Sequence, residues 1–428
     1  MAYHNNTFVK NGAPRAILHV DGDGFFAGCE VAKDHRLIGK PVIVGRERGM
    51  ALAMTYEAKA RGVKRGMTLK EAKAVCPDAI FLDADHESYA LFSGRMNNII
   101  ARYTPLLERY SIDESFADLS GMHLPSHEAY RTVAQEIKAT LKRELGMTFS
   151  LGIAPTKVLA KVGSKFKKPD GLTIIPSNNI AAYLTQVPIG DVWGIGHQTT
   201  AYLTQCGIVT AQDFADKTGL WVGSRLAKPY REIWHELRGN SVLGLHTEVR
   251  APEQSLMRSR TFTPPQHNKA YLLAELSRHT EVVCARAREH GLSGISFSFF
   301  LKTQQFTSRG IGFTLARATN IPEELIAIIA THIDRIYDAR VSYRAAGVTL
   351  AALTEKRATQ LDLFDTTARI ARLKKIYEEV DDINKRLGAP LVHLAGSTHM
   401  KKVAKTLHAD RETLLFARTG IPCLGTIS

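Results

Sequence analysis

The chain has 428 residues, of which 44% are hydrophobic, and it carries a formal net charge of +14 at pH 7. This length allows several domains with cores of their own, and the excess of basic residues indicates an acidic partner, with nucleic acid favoured over an anionic membrane. No apolar stretch approaches the roughly 20 residues of a transmembrane helix, and the five scattered cysteines argue against a disulfide framework or zinc site, so we expect a cytoplasmic protein.

The first predicted strand covers about residues 16–21 and ends on an acid. Its apolar run leads into Asp21, and the residues after Asp21 can begin a helix. In open α/β sheets, functional sites lie at the carboxyl ends of the strands. Asp21 is therefore a candidate metal ligand, although an acidic strand end that meets no other ligand would have the same sequence.

A second acidic stretch lies at Tyr110–Leu119, where apolar and polar residues alternate around Asp113 and Glu114 as in two short strands joined by a turn. On its own, such a pair is more simply a solvated turn, because most Asp and Glu side chains are exposed. If the strand before Asp113 lies beside the first strand, however, Asp21, Asp113 and Glu114 form a three-carboxylate cage. Such a cage suits two Mg²⁺ or Mn²⁺ ions and in-line phosphoryl transfer.

Three further motifs occur in the order found in a known family. They are Tyr56–Lys59, Gly152–Lys161 and Lys167–Gly171. Together with the two acidic stretches, over roughly residues 15–364, they resemble the motifs of Y-family translesion DNA polymerases. The resemblance implies error-prone, template-directed DNA synthesis in DNA repair and the SOS response to damage. It also implies nucleotidyl transfer from a deoxynucleoside triphosphate (dNTP) to a primer 3′-hydroxyl, with two Mg²⁺ ions as cofactors and Mn²⁺ as the alternative.

The same resemblance implies a right-hand polymerase of the α/β class, with an α+β palm, small fingers, a helical thumb and a βαββαβ little-finger domain. The expected boundaries are palm 1–33 and 93–175, fingers 34–92, thumb 176–240, little finger 248–353 and tail 354–428. Between the thumb and the little finger, Gly239–Thr247 is predicted to be a tether.

The resemblance also assigns roles to single residues. Asp21, Asp113 and Glu114 would be catalytic and would hold the metal ions, with the backbone carbonyl of Gly22 as a further ligand. Phe26 would be the steric gate, a ring that clashes with the 2′-hydroxyl of a ribonucleotide. The residues expected to contact the triphosphate are Phe25 and Phe26, through their backbone N–H groups, and Tyr56, Lys59 and Lys168.

Three positions depart from the family pattern. Gly22 and Gly24 stand where the family commonly has side chains, which is expected to make this turn more flexible. Lys59 replaces the usual arginine, and it keeps the charge without the bidentate fork.

DNA contacts are predicted in two regions. Gly194 and Gly196, in a turn of the thumb that resembles a helix-hairpin-helix motif, would bring backbone N–H groups to a phosphate. In the little finger, basic side chains would bind phosphates without reading the base sequence. These side chains are Arg250, Arg258, Arg260, Lys302, Arg309 and Arg317.

Two partner sites are predicted in the last part of the chain. The peptide 360–364 resembles the one that docks bacterial polymerases on the sliding clamp, with Leu361, Leu363 and Phe364 in a hydrophobic pocket and Gln360 at its edge. The tail beyond it looks more like that of polymerase V-type catalytic subunits than that of polymerase IV types. Accessory SOS proteins are therefore expected partners of the tail.

Two alternatives stand beside this interpretation. A nucleotidyl cyclase could use a similar palm, but it would not need a basic sheet domain or a clamp peptide. A polymerase-like protein could also bind DNA as a scaffold without catalysis, although the full set of carboxylates argues against this.

Overall fold

The computed structural model describes residues 15–247, 253–355, 367–387 and 391–394. The described residues form two compact units, one within 15–247 and the other from residue 253 onward. Within the described residues, no helix combines the length and the apolarity that crossing a membrane requires. The predicted DNA contact Arg250 and the predicted clamp peptide, with Gln360, Leu361, Leu363 and Phe364, lie outside the described residues.

In the described residues of the first unit, strands and helices alternate up to β8, and helices follow. Its strands are β1 (Ile17–Gly22), β2 (Val42–Val44), β3 (Ala53–Met54), β4 (Ile80–Leu82), β5 (Leu107–Arg109), β6 (Glu114–Asp118), β7 (Phe149–Ala154) and β8 (Leu172–Ile174). Its helices are α1 (Phe25–Lys33), α2 (Tyr56–Ala60), α3 (Leu69–Val75), α4 (His86–Ala101), α5 (His127–Leu145), α6 (Lys157–Phe166), α7 (Ile180–Leu184), α8 (His197–Gln205), α9 (Ala211–Ala215), α10 (Gly219–Arg225) and α11 (Lys228–Leu237).

A sheet with the strand order β5-β6-β1-β7-β8 organises this unit, and β1 lies at its centre, antiparallel to both β6 and β7. Every residue of β1 is buried, because helices cover both faces of the sheet. Leu18 and Val20 face a core formed with α1, α4 and α5, whereas Ile17 faces a second core formed with α6 and the following helices. This sheet is the expected α+β palm, and its central strand ends at Asp21 and Gly22.

The neighbour of β1 differs from the expectation. The three-carboxylate cage is expected on the condition that the strand before Asp113 lies beside β1, but the structure places β6, which begins at Glu114, beside β1 and leaves β5 at the sheet edge. β6 is buried through its middle, as an inner strand requires, whereas Arg109 at the end of β5 is exposed. A short strand with a charged end is typical of a sheet edge.

The fingers and thumb segments are organised differently. The fingers strands, in the order β3-β2-β4, and helices α2 and α3 enclose a small core of their own around Ile43, Ala58 and Ala72. The thumb helices α7–α11 instead share their core with α6 of the palm, which is buried along nearly its whole length. The expected boundary near residue 176 therefore separates two chain segments but not two cores.

The second unit has the order βαββαβ expected for a little finger. Its elements are β9 (Ser255–Gln266), α12 (Lys269–Glu289), β10 (Leu292–Thr303), β11 (Ser308–Thr319), α13 (Pro322–His332) and β12 (Tyr343–Glu355), followed by α14 (Thr367–Arg386). The strand order is β11-β10-β12-β9, and α12 and α13 pack on one face of this sheet. Arg288 of α12 binds Asp381 of α14 at 2.6 and 2.8 Å, which fastens the tail helix to this unit.

Candidate active site

The three predicted catalytic carboxylates lie on neighbouring chain segments. Asp21 of β1 and Glu114 of β6 are directly opposite partners in the sheet register, and the N–H of Gly22 donates to the carbonyl of Asp113 at 2.9 Å. Directly opposite residues of an antiparallel pair have Cβ atoms only about 5 Å apart. The structure thus brings the acid of the first strand to the two acids of the later turn.

Each carboxylate has a polar partner. The pairs, with their distances, are Lys168–Asp21 (2.5 Å), Lys161–Glu114 (2.6 Å) and Ser111–Asp113 (2.6 Å). In the described part of the chain, no group of three His, Cys, Asp or Glu side chains is arranged closely enough to hold a metal ion. Two ammonium groups thus bind carboxylates that are the candidate metal ligands.

Asp21 occupies an unfavourable site for a negative charge. The pKa of Asp21 is raised to about 6. Burial is the largest cause, and the charges of Glu114 and Asp113 also raise this pKa, whereas Lys168 opposes the shift. A bound cation would offset both the desolvation and the repulsion between the acids. Three carboxylates and a backbone carbonyl are also hard oxygen donors, which Mg²⁺ and Mn²⁺ prefer. These residues therefore fit a divalent metal ion.

The raised pKa of Asp21 predicts how the stability of the metal-free protein depends on pH. Because the native state keeps this proton to a higher pH than the unfolded chain does, ionisation of Asp21 destabilises the native state as the pH rises from about 4 to about 6. Relative to Asp21→Asn, the wild-type free energy of unfolding should fall by about 2 kcal/mol between pH 4 and pH 7. Denaturant titrations with a chelator measure this difference, and parallel pH profiles for the two proteins would contradict it.

Phe26, the predicted steric gate, lies in the first turn of α1 and is held by aromatic neighbours. Its ring stacks on Tyr89 of α4, with centroids 4.4 Å apart and planes at 12°, and meets the ring of His86 edge-on at 5.5 Å. The Tyr89 hydroxyl in turn donates to the buried Glu30 at 2.7 Å. The orientation of the Phe26 ring is therefore fixed by packing.

The two glycines before α1 permit close packing. Gly24 has a φ of +55°, which L side chains rarely adopt, and a Cβ there would lie 2.8 Å from the carbonyl oxygen of Met54. A Cβ on Gly22 would lie 2.6 Å from the ring of Phe25, which is buried in the palm core. Both glycines thus let neighbouring groups approach the backbone, and the greater flexibility of this turn stays a prediction.

Tyr56 and Lys59 lie together in α2, and Tyr56 lies within the electrostatic reach of Asp23 and Asp21. The Nζ of Lys59 is 5.2 Å from the centroid of the Tyr56 ring. Burial raises the pKa of Tyr56 to about 12, and the charges of Asp23 and Asp21 raise it as well. Because Lys168 also binds Asp21, the predicted triphosphate contacts and the carboxylates lie in one region of the first unit.

Asp23, which the motif analysis did not single out, supports the loop that carries Lys168. It is 6% exposed, and its carboxylate accepts hydrogen bonds from Ser150 Oγ and from the N–H of Asp170, both at 2.8 Å. A carboxylate bound in this way is held in place rather than free for a ligand. Its closeness to Asp21 in the sequence was the only available signal, because its partners lie 127 and 147 residues away.

The predicted DNA contacts lie on different surfaces. Three arginines of the second unit lie opposite buried core residues of the neighbouring strand and therefore share the helix-covered face of the sheet; they are Arg258, Arg260 and Arg309. Arg317 lies on the same face, since it binds Glu324 of α13. Lys302 lies on the open face, since its neighbour Leu301 points into the core. In the first unit, Gly196 is the N-cap residue of α8, and Gly194 has a φ of +88° in the turn before it. A role in DNA binding stays a prediction for all of them.

Both units match known protein families and relatives. The model of the impB/mucB/samB family matches residues 20–165, and that of the impB/mucB/samB family C-terminal domain matches residues 253–363. The DNA polymerase IV of Pelotomaculum thermopropionicum is 34% identical over 376 residues, which cover 86% of this chain and 92% of that protein. The DNA polymerase IV of Moorella thermoacetica is 32% identical over 392 residues, which cover 89% of this chain and 96% of that protein.

Solved structures share the fold. A Y-family DNA polymerase chimera of Dbh and Dpo4 has a TM-score of 0.67 at 23% identity, covering 80% of this chain and 100% of that one. An insertion ternary complex of Dbh DNA polymerase has a TM-score of 0.53 over the same shares. The relatives named here are DNA polymerases, and none of them is a nucleotidyl cyclase or a non-catalytic scaffold. Together with the two family models, they show that the chain belongs to the Y family of translesion DNA polymerases.

Proposed function

We propose that the chain adds dNTPs to a primer 3′-hydroxyl with Asp21, Asp113 and Glu114 as the ligands of two divalent metal ions. The convergence of these three acids at one end of the palm sheet is the observation that supports the proposal. The carbonyl of Gly22 completes the donor set. Family membership implies dependence on a divalent metal, for which Mg²⁺ is the first candidate and Mn²⁺ the second.

The residues around the acids would orient the substrate. When bound, the metal ions supply activation of the 3′-hydroxyl and neutralise charge on the triphosphate. Tyr56, Lys59 and Lys168 supply hydrogen bonds and positive charge to the same phosphates, and the N–H groups of Phe25 and Phe26 at the start of α1 add further donors. Phe26, whose ring packs against Tyr89 and His86, would be the steric gate that excludes a 2′-hydroxyl.

Primer–template DNA would contact both units through its phosphates. In the first unit, the N-terminus of α8 offers the backbone N–H groups that follow Gly194 and Gly196. In the second unit, Lys302 is the predicted contact on the open sheet face, and the exposed Arg258 of the edge strand β9 would reach DNA from the sheet edge. The formal net charge of +14 supports a salt-sensitive, sequence-independent interaction.

A Mg²⁺ titration of primer extension tests the metal chemistry. At low metal concentration the rate should rise with more than first-order dependence on Mg²⁺, because two ions are required, and a chelator should stop extension. The dNTP concentration is held far below that of the metal, so that metal bound to free nucleotide does not distort the order. A first-order dependence would contradict the two-ion proposal, and extension in the presence of chelator would contradict metal catalysis altogether.

Residues 360–364 are proposed to dock on a bacterial sliding clamp, on the basis of their sequence pattern alone. Deleting them should reduce extension on clamp-loaded templates by about tenfold, because tethering to the clamp raises the effective concentration of enzyme at the primer. Distributive extension should be unchanged, and Asp362→Ala serves as the matched control. Equal loss in both assays would count against docking. Accessory SOS proteins remain the proposed partners of the tail beyond this peptide.

A further inference from the structure

The segment that leaves α11 is bound to the first unit before the chain reaches the second. Glu236, in the last turn of α11, is 0% exposed, and its Oε1 accepts hydrogen bonds from the N–H groups of Val242 and Leu243 at 2.8 and 2.9 Å. The side chains of Leu243 and Leu245 pack against the core shared by α6 and the thumb. Part of the expected tether is thus attached to the fold.

A second buried glutamate binds the same segment further along. Glu108 of β5 is 5% exposed and accepts a hydrogen bond from the N–H of His246 at 2.9 Å. It also binds Lys157 of α6 at 2.9 and 2.7 Å, and Lys157 donates to the carbonyl of Gly244 at 3.3 Å. The buried ion pair Glu108–Lys157 therefore binds two backbone groups of this segment, the N–H of His246 and the carbonyl of Gly244.

These contacts distinguish residues 242–246, called the connector below, from an ordinary surface loop, whose backbone is mostly solvated. Burial of a carboxylate is strongly unfavourable unless hydrogen bonds and opposite charges satisfy it. The connector supplies the N–H donors of Val242, Leu243 and His246 to the two buried glutamates. Residues 242–246 therefore belong to the fold of the first unit.

We propose that Glu108 and Glu236 are positioning residues that anchor residues 242–246 to the first unit, so that these five residues do not act as flexible linker between the two units. Loss of the anchor adds these five residues to the linker and lowers the effective concentration of the second unit near DNA that the first unit holds. Doubling the length of a flexible connector lowers this concentration by roughly threefold. Only the DNA-affinity readout of this inference rests on the proposed function.

The anchor shares its supports with the candidate active site. Lys157 lies one helical turn before Lys161, and their Nζ atoms lie 5.8 and 5.2 Å from the ring of Trp193. Lys161 in turn binds Glu114. The test must therefore separate an effect on anchoring from an effect on the chemistry.

The anchor variant combines Glu108→Met with Lys157→Met, because replacing both partners of a buried ion pair by hydrophobic residues is usually tolerated. The matched control makes the same substitutions in the more exposed pair Arg102–Glu144. In the full chain, the His246 amide should exchange hydrogen at least about tenfold faster in the anchor variant and at the wild-type rate in the control. The Kd for primer–template DNA should rise by about threefold. The extension rate at saturating DNA and dNTP should stay near that of the wild type.

Unchanged exchange at His246 in a folded anchor variant would overturn the anchor. Faster exchange with an unchanged Kd, or a lower extension rate at saturating DNA, would overturn the positioning role. If the anchor variant does not fold, Glu236→Met is tested in the same way at the amides of Val242 and Leu243. An inactive wild-type protein would contradict the proposed function and leave the hydrogen-exchange result standing.

Discussion

Asp113→Asn is expected to lower the extension rate at saturating DNA and dNTP by about a thousandfold or more, with little change in the affinity for primer–template DNA. The substitution preserves the size of the side chain and an acceptor for Ser111 Oγ, which lies 2.6 Å away, but it removes the charge that would hold a metal ion. Asp21→Asn and Glu114→Gln should behave alike, since the three acids meet at one sheet end. Rapid-quench primer extension and fluorescence anisotropy measure the rate and the affinity.

Asp118→Asn is the matched control for this prediction. Asp118 lies on β6 with Glu114, and it accepts a hydrogen bond from the N–H of Ser120 at 2.8 Å. Its substitution should lower stability without lowering the extension rate by more than about twofold. The catalytic assignment would be lost if Asp113→Asn kept a rate within about tenfold of the wild type, or if the control lost as much activity.

The convergence of the acids could be predicted because it depends on local patterns. The apolar run before Asp21 and the alternation around Asp113 and Glu114 define strands, and strand pairing brings their ends together. The partner of β1 could not be predicted in the same way. Alternation is present on both sides of the acidic turn, and the choice between β5 and β6 depends on which strand the whole sheet buries.

The side-chain partners of these elements were beyond prediction because they join distant parts of the chain. Tyr89 holds Phe26 from α4, where its spacing is that of any core residue. Glu108 binds a backbone N–H that lies 138 residues away in the sequence. A periodic pattern identifies the buried face of an element, but it does not show which buried carboxylate meets which donor.

The little finger shows the same limit at the level of a sheet. Its βαββαβ order follows from strand and helix patterns, and the structure confirms it. The face of each basic side chain depends on register, however, and the three strand pairs of this sheet each contain a register shift. Because a slip of one residue moves a side chain to the other face, the contacts of Arg258 and Arg260 could not be assigned from sequence.

Phe26→Ala is expected to raise ribonucleotide incorporation relative to deoxynucleotide incorporation by about a hundredfold. As the proposed gate, the wild-type ring would clash with a 2′-hydroxyl and could not move aside, because it stacks on Tyr89 at 4.4 Å and meets His86 at 5.5 Å. Alanine removes this obstacle and leaves Asp21 and Lys168 in place, so dNTP incorporation should change much less. Single-nucleotide insertion with matched ribo- and deoxynucleotides gives the ratio of kcat/KM values.

Two substitutions of Tyr89 test whether sugar discrimination depends on the presence of the Phe26 ring or on the packing that holds this ring in position. Tyr89→Phe keeps the stacked ring and loses the hydroxyl that donates to Glu30, so sugar discrimination should stay near the wild-type value. Tyr89→Leu removes the stacked pair, and discrimination should fall by up to about tenfold, which corresponds to the 0.5–1.5 kcal/mol of such a pair. Unchanged discrimination in Phe26→Ala would remove the gate assignment. A fall in Tyr89→Leu as large as that in Phe26→Ala would instead show that the orientation of the ring, rather than its presence, excludes the ribonucleotide.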